Sequence, residues 1–111
     1  MHTAMNDYFF VKQNAKLYRV AFSDVFYIEG LRNYCRIHTQ NGILVTLKTL
    51  KQVQMLLPEK EFIRIHKSYI IAISKIFQVT KSEVCLGKNQ RLPVGETFRP
   101  KLKLLITANL L

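Results

Sequence analysis

Between Phe62 and Tyr69 the chain reads Phe-Ile-Arg-Ile-His-Lys-Ser-Tyr, which sets a guanidinium, an imidazole, an ammonium and two hydroxyls within six positions. Phosphate oxygens and base edges suit that chemistry better than an apolar ligand does. The surrounding run is otherwise apolar and continues through Ile70, Ile71 and Ile73. Burying unpaired charge there is costly, so an alternating strand is expected to turn Ile63 and Ile65 inward and Arg64 and His66 outward. A nucleophile reading of His66 and Ser68 lacks an orienting acid. None of the seven carboxylates pairs at an acid/base spacing, and there is no Gly-rich phosphate loop and no Gly-x-Ser-x-Gly elbow. The chain is therefore expected not to be an enzyme. Cys35 and Cys85, fifty residues apart, read as buried free thiols. A metal site would have to gather His38, His66 and those thiols from separate strands, so no metal or other cofactor is expected.

The elements that must carry these groups fit one domain. The chain has 111 residues, 49% of them apolar, enough for one core without metal or disulfide staples. Its formal charge is +10, and the distribution is uneven: residues 1–30 are neutral, while residues 31–111 hold fourteen basic groups against four acidic ones. Such a field draws polyanions. No segment approaches the ~20 apolar residues of a membrane span, and the N-terminus lacks a signal-peptide pattern. These features predict a cytoplasmic protein without membrane contact. Residues 1–7 read as a terminal remnant or linker and 8–111 as the domain.

Periodicity places strands at Tyr8–Lys12 and Lys16–Ala21, joined at Gln13-Asn14. A helical turn at Phe22-Ser23-Asp24 leads to a strand at Val25–Glu29. Asn33–Thr39 alternates, with Cys35 and Ile37 on one face and Tyr34, Arg36 and His38 on the other. Gln40-Asn41-Gly42 predicts a tight hairpin to Ile43–Leu47. Thr49-Leu-Lys-Gln52 has capping-box form and opens a short helix that Pro58 stops. Strands follow near Phe62–Ile65, Lys75–Thr80, Glu83–Leu86 and Arg91–Val94. A last helix runs from about Thr97 to Asn109, with Pro100 in its first turn. The expected fold is mainly β: small antiparallel sheets in an elongated domain, with a short middle helix and a C-terminal helix.

Three segments, in order and in register, resemble the LytTR family, the DNA-binding output domain of many bacterial response regulators. They are Asp24-Val-Phe-Tyr-Ile-Glu29 with Gly30-Leu-Arg-Asn-Tyr34, then Phe62–Tyr69 with Ile70-Ile71, then Leu92-Pro-Val-Gly95 running into the final helix. The resemblance covers about residues 8–108. It implies DNA reading by loops between strands rather than by a recognition helix. Those loops map onto Arg32-Asn33-Tyr34, His66-Lys67-Ser68 and the turn from Gly95 through Arg99.

Local chemistry agrees with that mapping. Asn33 can pair with adenine, Arg32 can fork onto guanine or phosphate, and Lys67 suits either. Ser68 and Tyr69 can donate to phosphates. Thr97 at a helix start could hold a phosphate or serve as a plain N-cap. Asn33 could equally serve its turn, and Tyr34 could pack on a neighbouring sheet. Arg64 reads as a framework contact with Glu61 or Glu29, and His66 as a loop-shaping bond to a backbone carbonyl or a DNA contact. Where many family members carry a basic residue after the position of Gly95, this chain has Glu96. Either Glu96 accepts from a cytosine amino group or Arg99 takes over the contact.

The resemblance implies transcriptional control on double-stranded DNA, with major-groove bases read at paired repeats by a homodimer under an upstream receiver domain. Two rivals remain at this level. An RNA-binding module would need exposed aromatics for stacking, for which Tyr8, Phe10, Tyr18, Tyr27 and Tyr34 are available. A protein-interaction domain would use the basic face on an acidic partner.

Overall fold

The computed structural model describes residues 7–111, so the six positions before Asp7, most of the expected remnant or linker, lie outside the described residues. A hairpin of β1 (Tyr8–Gln13) and β2 (Lys16–Ala21) comes first. Its two-residue turn is Asn14-Ala15, one position later than expected, and both residues hold positive φ, at 54° and 62°. That geometry follows the right-handed twist of the strands. Asp7 is already tied in, its carbonyl accepting from the Phe22 N–H at 2.9 Å.

Next come β3 (Val25–Gly30), β4 (Cys35–Thr39), β5 (Gly42–Thr46) and the helix α1 (Leu50–Leu56). The expected capping box is formed: Thr49 Oγ1 accepts from the Gln52 N–H and Gln52 Oε1 from the Thr49 N–H. Then follow β6 (Phe62–His66), β7 (Tyr69–Ala72), β8 (Ile76–Val79), β9 (Glu83–Leu86), β10 (Gln90–Pro93) and α2 (Arg99–Ala108). The strand β7 was not expected, since the strands placed near Phe62–Ile65 and Lys75–Thr80 left none between them. Lys67-Ser68 is a hairpin turn, and the apolar run after it is a new strand.

The strands form three antiparallel sheets, ordered β1-β2, β5-β4-β3-β7-β6 and β10-β9-β8. The mainly β class therefore holds, in a body of 43 × 38 × 25 Å. The five-stranded sheet is covered on both sides. One hydrophobic cluster joins Val11 and Val20 of the hairpin, Leu50 and Val53 of α1, and the sheet residues Ile28, Cys35, Ile37, Phe62, Ile70 and Ala72. The other joins Val84, Leu86 and Leu92 of the small sheet and Leu102 of α2 to Tyr27, Ile63, Ile65 and Ile71.

This double cover explains why Phe62, on the alternating set that includes Arg64, is as buried as Ile63. The polar members of that set are half-buried rather than simply turned to water. Between Arg64 and His66 the register with β7 shifts, leaving Ile65 as a bulge with a fully buried side chain.

Gly30 ends β3 where α1 docks. A Cβ there would lie 2.8 Å from Leu50 Cβ, so Gly30→Ala must push the helix away. Urea denaturation is expected to show a loss of about 1–3 kcal/mol; an unchanged midpoint would mean that α1 is not held at this contact.

Burial pushes the Cys35 thiol up, with Arg64 pulling the other way. Burial, then the charges of Glu29 and Tyr69, push the Tyr27 phenol up. The folded chain therefore keeps both protons more tightly than the unfolded chain. Stability from these groups is complete below their ordinary ranges and is lost as pH rises through roughly 9 to 10 and above. Denaturant midpoints should fall over that window, and less steeply in Tyr27→Phe.

Candidate nucleic-acid interface

The β6–β7 turn is held from inside by one side chain. Arg64 donates from Nε to the His66 carbonyl at 3.2 Å and from Nη2 to the Lys67 carbonyl at 2.6 Å. Its Nη1 donates to Gln54 Oε1 on α1 at 3.0 Å, and its Cζ lies 5.5 Å from the centre of the Phe98 ring. A planar fork with donors on both arms can do this where an ammonium cannot. Arg64 is thus a framework residue, but its partners are carbonyls and an amide rather than Glu61 or Glu29. Glu29 is taken by His38 Nε2 at 3.2 Å and Arg36 Nη1 at 3.6 Å, with the His38 ring stacked on Tyr27 at 4.1 Å.

His66 also shapes the turn, by accepting rather than by donating to a carbonyl. Its Nδ1 takes the Ser68 N–H at 3.0 Å, which leaves Nε2 for another partner. With the backbone pinned at residues 66 to 68, Lys67 is left as the exposed side chain at the tip.

Two backbone hydrogen bonds fasten the neighbouring loops to this turn. The Gly30 N–H donates to the Ser68 carbonyl at 2.8 Å, at the point where the chain leaves β3 for Leu31–Tyr34. That loop is closed by the Leu31 N–H on the Tyr34 carbonyl at 2.9 Å, with Arg32 and Asn33 exposed between them. Tyr34 is half-buried and has no ring partner among the described residues.

On the other side the Gly95 N–H donates to the Ile65 carbonyl at 2.8 Å, and Gly95 lies against His66 and Phe98. Residues Glu96–Phe98 form a 3₁₀ turn before α2. Thr97 is consequently not the helix cap: Phe98 holds that position, without a side-chain bond, and Pro100 lies in the first turn as expected. Glu96 and Thr97 are exposed, whereas Arg99 is half-buried and its Nε finds no acceptor among the described residues.

The three segments that lie far apart in sequence are therefore one continuous edge, stitched at Gly30–Ser68 and Gly95–Ile65. Its exposed side chains include Arg32, Asn33, Lys67, Glu96 and Thr97. The edge can offer a forked cation, an amide, an ammonium and a hydroxyl to a polyanion with exposed base edges. Residue types alone did not point to Gln54 or Phe98 as supports of the turn. The signal for them was weak: Gln54 is a polar residue on a helix, and Phe98 an aromatic beside a glycine turn.

The family model of the LytTr DNA-binding domain matches residues 15–107. The chain belongs to the LytTR family of DNA-binding domains. As a LytTR domain it binds DNA and is no enzyme. Its fold matches the solved LytTr DNA-binding domain of a Bacillus cereus protein with a TM-score of 0.78 at 22% identity, covering 92% of this chain and 98% of that one.

Two curated relatives extend the likeness. The CO-responsive transcriptional regulator RcoM of Rhodospirillum rubrum is 27% identical over 88 residues, 74% of this chain and 37% of that protein. The transcriptional regulatory protein NatR of Bacillus subtilis is 31% identical over 74 residues, 67% of this chain and 32% of that protein. The LytTR chain thus spans about a third of the length of these relatives. Among its described residues no helix is long and apolar enough to cross a membrane, and no three His, Cys, Asp or Glu side chains gather as a metal group.

Arg64→Lys keeps the charge but loses the fork. It is expected to lower affinity for a specific duplex several-fold while leaving the slope of log affinity against log salt unchanged, because Arg64 positions the turn and neutralises no phosphate. A shallower slope would reassign Arg64 to the DNA backbone.

Proposed function

We propose that this LytTR domain controls transcription by reading double-stranded DNA with the three stitched loops, their exposed side chains entering major grooves. The observation that carries the reading is the pair of backbone hydrogen bonds, Gly30 to Ser68 and Gly95 to Ile65, which hold three polar loops as one edge. In this reading Asn33 and Lys67 contact bases, Arg32 a base or a phosphate, and Ser68 and Tyr69 the backbone. His66 offers Nε2 from behind Lys67, and Tyr34 supports the first loop.

In the third loop Glu96 is exposed and Arg99 is half-buried, which favours Glu96 as the group that reaches a cytosine amino group, with Thr97 beside it on a phosphate. Arg99 lies close enough in sequence to serve the same loop. The excess of fourteen basic over four acidic residues beyond position 30 supplies the steering field.

Both curated relatives are named as transcriptional regulators, and about two thirds of each lies outside the match. A cytoplasmic regulator, its domain spanning residues 8–111, fits that pattern. An upstream input domain, such as a receiver, would set the pairing of two copies on repeated half-sites.

RNA binding is less well supported. Tyr27 is buried, and the exposed rings of Phe10 and Tyr18 belong to the β1–β2 hairpin rather than to the stitched loops.

Lys67→Ala and Asn33→Ala are each expected to weaken binding to the cognate site by roughly 1–3 kcal/mol, with little effect on unrelated duplexes. Equal loss on every sequence would demote the residue to backbone positioning. The cognate site would come from selection of duplexes out of a random pool, where recovery of a repeated motif supports paired copies. Affinity should also fall steeply with salt; a flat response, or a preference for single strands, would remove the duplex reading.

A further inference from the structure

Behind the third loop, α2 forms one wall of a cavity of about 610 Å³, shared with Val79–Lys81 and Val94. Its floor is apolar: Val94 and Leu102 are buried and Ile106 half-buried. Lys81, Arg99 and Lys103 also line it, and no carboxylate does. Among the described residues none of these three cations is in an ion pair, whereas the neighbouring Lys101 reaches Glu59 and Arg91 reaches Glu83. The Arg99 Nε–H is out of reach of bulk water and has no acceptor among the described residues. The volume lies in the range of sites that take small organic ligands, and an apolar floor beneath unpaired cations is complementary to a molecule with an apolar body and one negative end.

We propose that this groove binds a small amphipathic carboxylate, an aliphatic or aryl acid. Its apolar body lies on Val94, Leu102 and Ile106, and its carboxylate is held by Arg99 with Lys103 or Lys81. The site is linked to the DNA edge because Arg99 follows directly on the Glu96–Phe98 turn. A carboxylate on Arg99 neutralises a cation directly behind the third loop and so adds negative charge near the phosphates. Occupancy therefore lowers affinity for duplex, and duplex lowers affinity for the acid by the same factor. This coupling, unlike the groove itself, rests on the DNA-reading function proposed above.

The test uses octanoate, with its neutral isostere octanamide as control, on the isotope-labelled chain without DNA. Octanoate is expected to shift the amide signals of Val79–Lys81, Val94 and Arg99–Ile106 saturably, and octanamide to bind at least about fivefold more weakly. Arg99→Gln and Lys103→Gln should each weaken octanoate by a similar factor, and Ile106→Ser should weaken both compounds.

Saturating octanoate, but not acetate at equal ionic strength, should then raise the Kd for the selected duplex severalfold. Equal binding of acid and amide, shifts elsewhere on the surface, or unchanged affinity in the Arg99 and Lys103 variants would overturn the carboxylate site. Octanoate bound with duplex affinity unaltered would overturn the coupling. A chain that takes octanoate but no duplex would keep the groove and remove the DNA reading.

Discussion

Strands β6 and β7 lie between two hydrophobic clusters that share no residue: Phe62, Ile70 and Ala72 face one, and Ile63, Ile65 and Ile71 face the other. Burial on both sides leaves this hairpin little freedom to slip, because moving a strand by one residue would exchange its two apolar sets. Each fully buried isoleucine contributes on the order of 1.5–3 kcal/mol. The position of the Lys67-Ser68 turn follows from that anchoring, and both neighbouring loops take their place from the turn.

The polar groups at the end of the hairpin are arranged to serve the backbone before they serve a ligand. Arg64 gives two of its donors to carbonyls of the turn and one to α1, and His66 accepts the Ser68 N–H. Carbonyls and amides that would otherwise compete with a partner are thereby satisfied. Lys67 remains exposed on a backbone held on both sides. A preorganised loop of this kind gives up less conformational entropy on binding than a free one. The bulge at Ile65 belongs to the same device, since it shifts the register just before the turn.

The same economy of contacts distinguishes the cations from one another. Arg64 is consumed by structure, Arg36 and Arg91 pair with carboxylates, and Lys101 lies at the edge of pairing distance. Lys67 and Arg32 are exposed at loop tips, while Lys81, Arg99 and Lys103 border an apolar cavity. A formal charge of +10 is therefore not one uniform field. It is divided among framework, loop edge and groove, and each portion has a different relation to water and hence a different strength.

Alternation and turn chemistry determined much of the molecule by themselves: the mainly β class, the capping box at Thr49 and Gln52, and the first two hairpins. Local signals suffice there because each is set by neighbours in the chain. The three polar segments around Asn33, Lys67 and Glu96 came from the resemblance of three sequence motifs to the LytTR family. Local signals failed where a contact spans the fold. The run Tyr69–Ala72 reads as plain core, and only its pairing with Glu29 and Arg64 neighbours makes it a separate strand. Arg64 reads as a cation in search of a carboxylate, and Glu29 was already taken by His38 and Arg36. Thr97 reads as a helix cap, and a 3₁₀ turn displaced the helix by two residues. The joining of three loops into one edge was decided by tertiary structure alone, because its bonds run between backbone groups, which carry no residue-specific signal.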